Sequence, residues 1–197
     1  MRCLLSMLAV GVLVAAQGGL EAQETGREGS PRKFSWRLTN SQIVEPGETT
    51  TTEQGTMTTG YTVEAQAQGD EGAPIKKGRF RVTLNAFSPF QDRPGQEAGT
   101  WQVTGNWTLT DAEAPPEASK TRYHPSVLRG TLRAKLGFNP ATHPGPVKAQ
   151  VEMVTFRPGF GRQRGGGTFQ GDELFTGKLT IDLQAPTFRR PTKGEMP

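Results

Sequence analysis

The chain has 197 residues, a formal net charge of +4, 25 glycines, 15 prolines and a single cysteine. One cysteine excludes a small module stapled by disulfides. Two histidines and no cysteine pair leave too few ligands for an ordinary zinc site, and the mild positive excess with a mean hydropathy of −0.56 fits a solvated surface.

The N-terminus has the three parts of an export signal. Arg2 supplies a positive start, Leu4 to Ala16 form an apolar run, and small residues follow. The run is too short to span a bilayer comfortably, so a removed signal is expected over residues 1–22. Cleavage fits after Ala16, with Val14 at the −3 position, or after Ala22, with Leu20 there. Cys3 precedes the apolar run and leaves with it, which points to a bacterial secreted or periplasmic setting. No later segment approaches a transmembrane helix.

Residues 23–32 are polar, with Gly26, Gly29 and Pro31, and read as a flexible leader. Period-two alternation then begins and recurs along a β-domain expected over residues 33–184. Phe34, Trp36 and Leu38 alternate with Ser35 and Arg37. The same holds for Tyr61, Val63, Ala65 and Ala67, and for Phe80, Val82 and Leu84. Trp101, Val103, Trp107 and Leu109 follow, then Leu128, Leu132, Ala134 and Leu136. Val147, Ala149, Val151 and Met153 come next, and Leu179, Ile181 and Leu183 close the series. That makes seven segments, with an eighth expected around Thr168 to Gln170. Residues 185–197, with Arg189, Arg190 and Lys193, read as a basic tail.

Alternation with one oily and one polar face is the signature of antiparallel strands. The connections are rich in proline and glycine and suit hairpins, not crossover helices. The stretch from Gly99 to Thr110 would reach about 40 Å if straight, and Gly105 sits in phase with its apolar face, where a strand can bend. The expected fold is all-β, a single domain of about eight mostly antiparallel strands. It forms either a curved barrel or a tight sandwich. In strand pattern alone, the barrel resembles lipocalin-like carriers in shape.

Candidate functional groups are few. Tyr61, Phe80, Trp101, Trp107 and Phe169 lie on the apolar face and are expected either to line a ligand cavity or to pack as core. Glu173 falls in phase with Phe169, Gly171, Phe175 and Gly177, which would turn its carboxylate inward as a weak catalytic candidate. The competing placement is a turn at Gly171-Asp172, which sets Glu173 at a loop edge. Basic residues gather on polar faces: Lys76, Lys77, Arg79 and Arg81 in one segment, Arg129, Arg133 and Lys135 in another. Neighbouring strands would merge them into a positive patch, with Glu64 and Glu152 diluting it. The run Arg162 to Gly167 reads as a hairpin tip, so no nucleic-acid partner is expected. No metal and no cofactor is expected. GxSxG, P-loop and dinucleotide fingerprints do not occur.

The sequence therefore points to an exported, non-catalytic binding or cell-envelope protein. Its expected partner is a small apolar ligand in a cavity or an anionic envelope surface. Two alternatives stand beside it: an enzyme using Glu173 for acid–base chemistry, and a small outer-membrane barrel with its apolar face toward lipid.

Overall fold

A computed structural model describes residues 32–89, 99–120, 124–143, 145–157, 161–173 and 175–183. The expected signal, almost all of the leader and the basic tail lie outside these residues. Arg32, placed in the leader by its sequence, opens the first strand.

Among the described residues nine strands form: β1 Arg32–Glu45, β2 Glu48–Thr52, β3 Gly55–Gly69, β4 Lys77–Pro89, β5 Trp101–Asp111, β6 Val127–Leu136, β7 Val147–Arg157, β8 Gly161–Gly171 and β9 Gly177–Leu183. A 3₁₀ turn spans Pro116–Ser119. From β3 to β9 each strand pairs antiparallel with the next in the chain. β1 pairs with both β9 and β3, and so closes an eight-stranded barrel. The choice between barrel and sandwich thus falls to the barrel. β2 is the extra strand. It continues β1 along the same edge of β3 after a break at Pro46-Gly47. Gly47 has φ +73°, and a Cβ there would lie 2.6 Å from the Thr59 carbonyl oxygen, so the break requires glycine.

The alternating apolar residues of every strand but β2 face inward, while Ile43, Val44 and Met57 lie exposed. Trp36, Val63, Phe80, Leu84, Trp107, Leu109, Leu132, Phe169 and Leu179 are fully buried. Each such side chain contributes about 1.5–3 kcal/mol by leaving water. Large and small residues complement each other across the ladder, as a narrow barrel requires. Gly130 pairs with Trp107, and a Cβ on it would meet the indole at 2.6 Å. Gly105 pairs with Leu84, whose Cδ2 already stands 2.5 Å from where its Cβ would be. Both ends are stoppered. At one, Ile75 of the β3–β4 connection is fully buried, and its carbonyl accepts the Trp36 indole N–H at 2.8 Å. At the other, Phe175 stacks on Phe169 with centroids 5.3 Å apart.

Two expectations need correction, and one strand carried no sequence signal. A lipid-embedded barrel needs an apolar outer face, but here the oily face fills the interior and the charged face points out. The run Arg162 to Gly167 is not a hairpin tip; it lies inside β8, which is far longer than Thr168 to Gln170. Glycine suits that strand because β9 presses close: a Cβ on Gly165 would lie 2.9 Å from the Ile181 methyl. β2 was invisible to periodicity because all five of its residues are exposed, so neither face is oily.

Candidate functional site

The ladder between β6 and β7 is short. It runs from Arg129↔Val154 to Arg133↔Gln150 and stops. Beyond it, Ala134 to Leu136 pair with β5, and Val147 to Ala149 pair with β8, but the two segments do not pair with each other. The barrel wall therefore splits there. A groove of about 1010 Å³ follows the outer wall over this split, from Asn85 on β4 to Thr168 on β8.

Register decides what lines the groove. Outward residues occupy alternate positions, so Gln102 stands across from Lys135 and Thr104 across from Arg133. On the far side Gln150 faces Thr168, and Lys148 projects from the opposite lip. Arg133, Lys135 and Lys148 are all exposed. None of the three has an ion-pair partner among the described residues. Glu152 stands on this wall, two positions along β7 from Gln150. It lines an adjoining smaller groove with Arg133 and Asp182. Such a set attracts negative charge through its cations and accepts or donates hydrogen bonds through its amides and hydroxyls.

The ten-residue β6–β7 connection does not fall back into the split. Asn139 is buried and donates from Nδ2 to the Thr58 hydroxyl on β3 at 2.8 Å. Its Oδ1 accepts the Ala141 N–H at 3.0 Å, and the Thr58 hydroxyl lies 2.9 Å from that of Thr49 on β2. This chain draws the connection across the barrel mouth toward β3 and leaves the lips open.

The residues singled out by sequence are dispersed. Phe80 and Trp107 stack with centroids 6.0 Å apart, and Phe169 lies under Phe175, all within the filled interior. Trp101 is half-buried against the same core at the mouth. Tyr61 is 2 % exposed, and its hydroxyl has no hydrogen-bond partner among the described residues. Burial raises its pKa above the usual tyrosine value, because the phenolate would lose its hydration. Glu173 is exposed in the connection between β8 and β9. That connection spans five residues, longer than the Gly171-Asp172 turn. It is closed by Asp172 N–H donating to the Thr176 carbonyl at 3.0 Å and Thr176 N–H donating to that of Glu173 at 2.7 Å. The inward carboxylate needed for acid–base chemistry at this position is therefore not formed. Phe175, with φ +62°, takes the inward place instead.

The two basic clusters are not neighbours, since β5 separates β4 from β6. On β4, Arg81 is held by Glu45 at 2.9 Å and by Glu64 at 3.1 Å, while Arg79 stands 4.0 Å from Glu64. Arg129 donates to the Ser119 carbonyl. Arg133 and Lys135 have no ion pair among the described residues, and Lys148, outside the clusters read from the sequence, joins them on one groove. A signal for it existed: Lys135 and Lys148 flank one hairpin connection, and a regular register would set them opposite each other. His124 and His143 lie in connections at opposite ends of the barrel, where Nδ1 of His124 accepts the Ser126 N–H at 3.2 Å. Comparison with protein-family models, with curated proteins and with solved structures finds no match to this chain.

Proposed function

We propose that the protein is an exported, non-catalytic binding protein, secreted or periplasmic, which takes an anionic ligand or surface on the outside of its barrel at the β6–β7 split. One observation carries the reading: Arg133, Lys135 and Lys148, all without a carboxylate partner among the described residues, converge on one concavity. Exposed cations normally gain little from pairing, but three held around a groove by strand register can act together on one polyanion.

Retention on immobilised dextran sulfate, against unsubstituted dextran, tests this. Replacing Arg133, Lys135 and Lys148 together by Gln is expected to weaken binding at least tenfold. Replacing Lys33, Lys77 and Lys178, exposed elsewhere, is expected to weaken it far less. Equal losses in the two variants would overturn the cleft as the site.

A second reading keeps the small apolar ligand inside the barrel. The buried Tyr61 hydroxyl favours it, since an orphan donor suits the polar atom of an otherwise oily guest. Such a guest has to displace packed rings, and a co-purified small molecule in native mass spectrometry would support it.

A further inference from the structure

Resting on the outer-wall reading, we infer that the anionic partner is an extended acidic peptide segment, added as a strand in the β6–β7 split. The split differs from an ordinary basic surface in one respect: its lips are strand edges. Ala134 to Leu136 and Val147 to Ala149 are held extended by β5 and β8. Alternate residues of a strand direct their N–H and C=O groups to the same side, so each lip offers backbone donors and acceptors toward the gap. A lip of three residues is about 10 Å long, room for three or four residues of added strand. Backbone pairing of this kind supplies affinity, and the side chains beside it supply choice.

Charge decides the choice. Lys135 and Lys148 are the middle residues of the two lips, and Arg133 stands where the ladder closes. Lysines on strand edges repel basic segments and discourage neutral ones from adding. An acidic segment instead places carboxylates beside all three cations. A flexible polysaccharide satisfies the charge but has no backbone ladder to match the lips, so the observations favour the peptide.

The probe is a fluorescein-labelled peptide of four Glu-Thr repeats, titrated by fluorescence anisotropy. Controls are four Lys-Thr repeats, the Glu-Thr peptide N-methylated at every residue, and dextran sulfate as competitor. The Glu-Thr peptide is expected to bind. Lys135→Glu with Lys148→Glu should weaken it at least tenfold, and N-methylation should do the same. Amide exchange at 134–136 and 147–149 should slow when peptide is present. Equal binding of the N-methylated peptide, or unchanged exchange at the lips, would overturn strand addition while leaving an anion site in place. Failure of the peptide and of dextran sulfate alike would remove the outer-wall reading as well. Self-association of the protein alone, abolished by the same double variant, would assign the split to a second copy and overturn the peptide partner.

Discussion

β3 and β4 pair through twelve residue pairs, from Gly55↔Pro89 to Gln68↔Lys77, whereas β6 and β7 pair through five. Both hairpins alternate oily and polar residues, so alternation does not explain the difference. Cross-strand charge does. Glu64 lies directly across from Arg81, and Glu45 on β1 reaches the same guanidinium. Extending the β6–β7 register by two residues would set Lys135 against Lys148. Opposite charges across a ladder favour pairing, and like charges oppose it. The connections act in the same direction. The β3–β4 loop is tied down by the Asp70 carboxylate, which accepts the Ser35 N–H at 2.9 Å, and by the Gly69 N–H donating to the Lys76 carbonyl at 2.8 Å. The β6–β7 connection carries Pro140, Pro144 and Pro146 and is anchored on the far side of the mouth. One wall uses its charges internally; the other presents them outward beside open backbone.

The strongest way to break this contrast is Asn139→Ala. The change removes the bond to Thr58 and leaves the Ala141 N–H without its acceptor. A loss of about 1–3 kcal/mol is expected, the usual cost of a buried polar bond undone, measured by urea unfolding. Amide exchange should rise first in 137–146 and at the β6–β7 lips. Equal acceleration in β3 and β4 would show that the two walls open as one unit.

Tyr61→Phe acts on the continuous wall with the opposite sign. Deleting a buried hydroxyl that has no partner among the described residues is expected to stabilise the protein by about 1 kcal/mol. Its pH dependence follows from linkage. The folded pKa is raised, so the unfolded chain releases the phenolic proton first as pH climbs. This contribution is fully present below the unfolded value near 10.0 and is lost as pH rises from there through the folded value. Stability of the unmodified protein should therefore fall more steeply above about pH 10 than that of Tyr61→Phe. Parallel curves would show that the hydroxyl is hydrated.

The smallest effect is expected from Glu173→Gln, in a connection belonging to neither wall. The side chain is exposed, and among the described residues only its backbone carbonyl is engaged. A change within about 0.5 kcal/mol is expected. A larger one would place the carboxylate in a buried environment.

Alternation was the legible part of this protein. Phe34, Trp36 and Leu38, Phe80, Val82 and Leu84, and Leu179 and Ile181 all face the interior as their spacing requires, because side chains of an extended backbone must alternate sides. The inward phase of Gly105 was equally legible, and the structure gives its cause in the close approach of Leu84. Where periodicity failed, a local rule had been overridden. The glycines of β8 look like a turn until β9 lies against them, and the threonines of β2 carry no oily face to count. Phe175 takes an inward place from a connection by adopting a left-handed backbone, and its stacking on Phe169 offsets that strain.

The candidate site was half legible. Arg133 and Lys135 stood out as outward cations, but nothing local shows that β5 separates them from β4, that Glu45 and Glu64 claim Arg81, or that Lys148 joins them across a gap. Which face of a strand is oily is a property of neighbours in sequence, so the chain alone determined seven of the strands and their inward faces. Which charges are paired, and where the wall opens, depends on residues far apart in sequence meeting in one register, and only closure of the barrel decided that.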